Sequence, residues 1–378
     1  MSARLLVGVV LFVSSAGSIQ KYAGTPVAIA SLPLFLVAAV ALLPRLERAV
    51  SRCSVRLALF AAAAGLLFLA IALVVIYPHV NVHTLGNGSD RDDAADIGAR
   101  RLLDGEYPYG PLTYLGNPIS QLPGALALAA PFVEALGHSA YANVFWLAVL
   151  IVVVVVVGRP LPASVAIVAA AIVLSPGVLR EYLTGGDLIA NTIYVAAASV
   201  GVFRLAAHRR SGPLAALALG VTLASRANFS LLLIPLTVAL ARRYGLRRAC
   251  ALVAGAALTA ISLFAVALAR PAGRASIRVA DHLNVLGHVG SAVTVAIAVA
   301  LAVVTALRTR HWTASAMLFQ AGVVQALFPI ALVANASATA TRLDFTPLVS
   351  GYGVPALLLV LPAGFLLADD DKRSESII

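Results

Sequence analysis

The sequence predicts an all-α polytopic membrane protein with about twelve transmembrane helices, and three observations carry that prediction. Apolar residues make up 61% of the 378 residues, and charged residues only 11%. Mean hydropathy is +0.96, far outside the range of soluble globular domains. The apolar stretches are continuous rather than alternating, and many approach the roughly 17–25 residues needed to cross a hydrocarbon core of about 30 Å. Helices rather than barrel strands are therefore the spanning elements.

Taken in order, spans are expected at 4–18, 27–43, 57–77, 141–157, 162–178, 188–204, 213–224, 228–241, 249–269, 291–307, 314–335 and 351–367. The first, Leu5–Ser18, has a basic start and no small-residue cleavage site, so it reads as a retained span or anchor. The pair 213–224 and 228–241 is too short for two ordinary crossings and reads as a helical hairpin broken at Ser225-Arg226-Ala227-Asn228. Such a break is tolerated only where the freed backbone faces protein or water. The apolar stretch 122–136 is one more candidate, and the arginines decide against it. If it lies flat on the outer face, the segments Arg45 to Arg56, Arg159, Arg204 to Arg210, Arg242 to Arg248, Arg308 to Arg310 and Lys372-Arg373 share one side. That is what the positive-inside rule requires. Both termini are then cytoplasmic and the loop 78–137 is extracytoplasmic. The net charge of +11 is a topology signal and not a nucleic-acid patch. The two cysteines, Cys53 and Cys250, imply neither a disulfide nor a metal framework.

Inside the loop, Asp90, Asp92, Asp93 and Asp96 pack four carboxylates into seven positions. Residues 90–104 can form a short helix, with Ser89 or Asp90 as its cap and aspartates favouring the positive end of the dipole. On that helix Asp90 and Asp93 share one face and Asp92 and Asp96 another, while Ile97, Leu102 and Leu103 supply an apolar side. Solvated charge and capping are the plain alternative to chemistry for these acids. The following turn, 105–118, holds Tyr107, Tyr109 and Tyr114 beside Asn117. Such rings and amides suit sugar faces and hydroxyls, although interfacial tyrosines also serve simply as anchors.

Arg226 stands between two apolar runs, and a cation at such a depth is costly unless paired or wetted. A lipid phosphate is an apt partner for its bidentate fork; snorkelling or a salt bridge to Asp187 or a loop acid are the alternatives. Farther on, Arg270, Arg274, Arg278, Asp281, His282 and His288 form a polar external loop suited to phosphate. One His beside one Asp is far below a metal signature, so no metal ligand set is assigned.

The order of an acid-rich turn, a helix, Leu102-Leu103-Asp104-Gly105 with Pro108-Tyr109, Asn117-Pro118, and a Pro131-Phe132 helix ending in Leu136-Gly137 resembles the GT-C superfamily of integral-membrane glycosyltransferases. It is most similar to the bacterial polyprenol-phosphate-mannose-dependent branch. The resemblance covers 78–137 well and the spans to about residue 245 more loosely. It implies a catalytic aspartate in this loop, falling on Asp90 with Asp92 and Asp93 as rivals; Ala94 and Ala95 stand where the family usually carries Tyr or Phe. It implies a second acid at Asp187, for which an N-cap of the span 188–204 is the plain reading, and it matches Gly220 to Arg226 to a Gly-x-x-x-x-(Thr/Ser)-Lys/Arg segment.

The organisation expected from this resemblance is two added spans in 1–50, a GT-C-like catalytic module in 51–270, and C-terminal spans with a short cytoplasmic tail in 271–378. The expected activity is inverting transfer of a sugar, mannose favoured, from a polyprenyl-phosphate donor to a glycolipid or glycan acceptor at the outer face of the cell membrane. In it Asp90, Asp92 or Asp93 is the base and Arg226, Arg274 and Arg278 hold the donor phosphate. Asp187, Tyr107, Tyr109, Tyr114, Asn117 and His282 contact acceptor or sugar. The reaction is expected to be metal-independent or weakly metal-dependent, with a divalent cation the one cofactor considered. A twelve-span secondary transporter or a non-catalytic scaffold are the rival readings, with one broken hairpin and no matching partner speaking against transport.

Overall fold

The computed structural model describes residues 3–82, 89–276, 287–309 and 311–362. Every regular element among them is helical, apart from one isolated bridge between Leu112 and Pro118. Seven of these helices are long and apolar enough to cross a membrane, or eight if one bent pair counts as a span. This is a multi-pass membrane protein, with fewer crossings among the described residues than the twelve expected.

Part of the difference comes from short pieces, and the expected span 351–367 runs past residue 362, outside the described residues. Residues 213–224 and 228–241 fold as Ser211–Leu223 and Leu233–Tyr244, of 13 and 12 residues. At 1.5 Å per residue these reach about 20 and 18 Å, well short of the hydrocarbon core. The sequence-expected break does lie between them, where a single 3₁₀ stretch, Ala227–Leu232, follows Arg226. The expected span 162–178 is instead broken at Ser175-Pro176, where Leu161–Val173 and Pro176–Leu183 meet at 85°. Proline cannot continue the incoming helix, and the Ser175 hydroxyl accepts from Val178 N at 3.3 Å to open the next one.

The chain divides into two compact units. The first holds residues 1–66, 148–180 and 285–378. In it α1 (Ala3–Ala23) pairs with α2 (Thr25–Val37), which runs through a π-helical turn into α3 (Leu43–Val50). Pro44, without an N–H to donate, accompanies that widened turn. The unit also contains α8 (Leu161–Val173), most of α9 (Pro176–Leu183), and two later helices, Gly287–Arg308 and Ala314–Ala340. Gly177 lies against the Ser14 carbonyl so closely that no Cβ would fit, and Ser14 and Ser175 share a hydrogen bond of 2.9 Å. Arg159 is paired with Glu47.

The second unit holds residues 67–147 and 181–284. Long helix α4 (Val55–Val80) leads into it, apolar all round and mostly exposed, as a lipid-facing span would be. Then come α5 (Arg91–Leu103), α6 (Pro123–Leu136), the start of α7 (Ala142–Val156, whose residues from 148 on belong to the first unit), α10 (Leu188–Leu205), α11 (Ser211–Leu223), α12 (Leu233–Tyr244) and α13 (Leu246–Leu268). Helix α6, of 14 residues, is too short to span and packs on α5 and α11. Gly124 makes that contact: its N–H donates to Ala224 O at 2.9 Å, and a Cβ there would collide with Val221 O.

Candidate active site

All the described candidate residues sit in the second unit. Helix α5 carries Asp92 and Asp93 in its first turn and Arg100 and Arg101 in its last, the polarity its dipole favours. Asp90 occupies the N-cap position, yet its side chain caps nothing. The carboxylate turns to the tight loop 113–117 instead, where its Oδ2 accepts from Thr113 Oγ1 at 2.9 Å and from Asn117 Nδ2 at 2.8 Å. That loop is closed by Thr113 N donating to Asn117 O at 2.8 Å, with Gly116 at a φ of 75° that favours glycine. Asp93, on the same face of α5, accepts from Tyr114 N at 2.8 Å. The negative charges of Asp90, Asp92 and Asp93, together with partial burial as the main cause, push the Tyr114 phenol above its ordinary pKa.

The opposite face of α5 turns inward. Asp92 is fully buried and accepts from the Tyr77 hydroxyl and from Asn81 Nδ2 at 2.6 Å. Asp96 accepts from Ser139 N at 2.7 Å and pairs with His138 Nδ1 at 2.8 Å. That hydrogen bond holds the His138 pKa above its ordinary value, against partial burial and Arg100, which lower it. The facial split expected from helical spacing is therefore present, and it separates two jobs. Asp92 and Asp96 tie α5 to its neighbours, whereas Asp90 and Asp93 face the tyrosine loop.

Two ion pairs lie beside the N-terminus of α5. Arg91 donates to Glu181 at 3.2 Å, and Glu181 also accepts from Leu188 N at 3.0 Å, which makes it the residue that caps α10. Asp187, expected as that cap, makes no capping hydrogen bond. It accepts instead from Arg226 Nη2 at 2.7 and 2.8 Å and from Asn191 Nδ2 at 2.9 Å. Burial alone would raise the Asp187 pKa, but the charges of Arg226 and Arg91 outweigh it and hold the carboxyl below its usual range. Arg226 is thus not the lone cation that its sequence setting suggested. Its Nε is buried and has no hydrogen-bond partner among the described residues.

The remaining candidates are structural in their visible contacts. Tyr107 bonds to Ala267 O and lies under the guanidinium of Arg270, 4.9 Å from the ring centre. Tyr109 is buried and donates to Gln121 O at 3.0 Å; burial and neighbouring Tyr107 raise its pKa. Arg274 donates through Nε to Leu268 O at 3.0 Å. Arg278 and His282 lie outside the described residues. Among the described residues no group of three or more His, Cys, Asp or Glu could hold a metal ion.

Glu181, Arg91 and Thr113 were not singled out by sequence. The signal for Glu181 was present, as a single acid in an apolar flank, but its partner Arg91 stands 90 positions away. No protein-family model, curated protein or solved structure matches this chain.

Proposed function

We propose that the protein is a membrane glycosyltransferase that moves a sugar, mannose favoured, from a polyprenyl-phosphate donor to a glycolipid or glycan hydroxyl at the extracytoplasmic face. One observation supports this reading above the rest. Arg91, in the first turn of the acid helix α5, bonds Glu181 and lowers the pKa of Asp187, which in turn pairs with sequence-distant Arg226. Convergence of separated charged groups at the end of apolar helices is more than solvated loop charge requires.

Within that site Asp90 is the general base. Both its hydrogen bonds fall on Oδ2, which leaves Oδ1 to accept the proton of an acceptor hydroxyl as that oxygen attacks the anomeric carbon. The bond from that carbon to the phosphate oxygen breaks, and polyprenyl phosphate leaves with the electron pair. Single displacement inverts the anomeric centre. Arg226, oriented by Asp187, and Arg274 balance the departing phosphate's charge. Tyr114 and Asn117, on the loop facing Asp90, line the sugar.

The test is direct. The purified protein is incubated with labelled polyprenyl-phosphate mannose, arabinose, glucose or galactosamine, with native membrane lipid extract as acceptor. Transfer from one of these, and none from UDP- or GDP-sugars, is the expected result. Direct use of a nucleotide sugar, or solute movement across sealed vesicles without a new glycosidic bond, overturns the reading.

A further inference from the structure

The other end of α10 carries a different kind of charge. Helix α10 carries Arg204 in its last turn, and the turn into α11 holds Arg209 and Arg210; helix α12 carries Arg242 and Arg243 in its last turn, and α13 carries Arg247 in its first. All six are exposed. The two turns are 30 or more positions apart in sequence, and the fold locks them together. Arg248 donates through Nε to Ala206 O and through Nη2 to His208 O, both at 2.9 Å, and Tyr244 donates to Phe203 O at 3.1 Å. Arg243 lies over the rings of Phe203 and Tyr244 at 5.2 and 5.5 Å.

What sets this surface apart is the sequence that builds it. From Leu188 to Ala280 the chain contains no Asp or Glu. A positive-inside bias needs arginines near span ends, but it does not need two turns cross-braced into one face. Five exposed guanidiniums, those of Arg209, Arg210, Arg242, Arg243 and Arg247, held at the ends of apolar helices in a stretch of sequence free of acids, match a layer of phosphates at headgroup depth.

The geometry points to this arginine face as a binding surface for the phosphates of anionic membrane lipids, held in place by the Arg248 brace. The occupant is a lipid and not a soluble phosphate, because the flanking surface is apolar: Leu205 and Leu246 are exposed beside the arginines. This inference stands apart from the enzymatic reading and survives its failure.

The experiment uses the full chain, delipidated in a neutral detergent and offered phosphatidylglycerol, phosphatidylcholine or free glycerol phosphate. Native mass spectrometry should show retained phosphatidylglycerol, and its addition should raise the unfolding temperature while phosphatidylcholine does not. The combined variant Arg209→Gln, Arg210→Gln, Arg242→Gln and Arg247→Gln alters exposed side chains only, and should weaken phosphatidylglycerol binding at least about tenfold. The binding should also fall as salt rises. Equal retention of both lipids, unchanged binding in the variant, or full displacement by glycerol phosphate overturns the inference.

Discussion

The two ends of α10 handle charge in opposite ways. At the Asp187 end the α5 acids, Glu181 and Asp187 each meet a donor within the protein: Thr113, Asn117, Tyr114, Tyr77, Asn81, His138, Arg91 or Arg226. At the Arg204 end Arg209, Arg210, Arg242, Arg243 and Arg247 stay exposed, while Arg248 meets carbonyls and Arg243 aromatic rings. Internal pairing fixes geometry, which chemistry needs; exposed surface charge leaves its energy to an outside partner. The first end is built to be rigid, and the second to be adhesive.

If that contrast is real, breaking a pair at the first end should hurt folding most. Arg226→Ala leaves Asp187 buried without its cation, and should cost about 3 kcal/mol in denaturant unfolding. Adding Asp187→Ala should return part of that loss, because the uncompensated charge goes with it; a single variant as stable as wild type would show the pair to be incidental. Asp90→Asn tests rigidity in the service of chemistry. Turnover should fall by about 10² or more, with stability near wild type, because the amide oxygen still accepts from Thr113 and Asn117. Asp92→Asn sharpens the division of labour on α5: about 1–2 kcal/mol of stability should go as Tyr77 and Asn81 lose a charged acceptor, and activity should track the folded fraction.

The His138–Asp96 contact predicts a smaller, pH-dependent effect. The folded pKa of His138 is raised, so its contribution is fully present below the unfolded value of about 6.5 and fades as pH climbs through the folded value. The difference in melting temperature between wild type and His138→Gln should therefore shrink from acid to mildly alkaline pH. A difference that grows with pH would reverse the assigned sign. Smallest of all, single exposed changes such as Arg209→Gln should shift stability by less than about 0.5 kcal/mol in detergent. A larger loss there would mean that the adhesive end is structural after all.

Much of this was legible in the sequence where local periodicity carries the information. The acid helix, the split of its carboxylates between two faces and the break before Ala227 all follow from spacing within a dozen residues. The pairings do not, because they are contacts at long range: Arg91 with Glu181, Arg226 with Asp187, Asp96 with His138. Composition windows also missed a bend, since a run of apolar residues does not reveal whether the chain will turn by 85° before Pro176. Asp90 and Asp187 show a subtler limit. Each stands where a capping residue stands, and each carboxylate is drawn off by a stronger partner elsewhere in the fold.

Helix α10 joins these two ends with 18 residues, a rise of about 27 Å. That length acts as a ruler cut close to the thickness of a bilayer's oily interior. One mark is pinned by Glu181 and Asp187, the other by the Arg248 brace, so the helix has no slack with which to slide. In a thicker bilayer the lipid must thin around it, and in a thinner one the helix must lean. Activity measured across vesicles of graded chain length should therefore peak at one thickness.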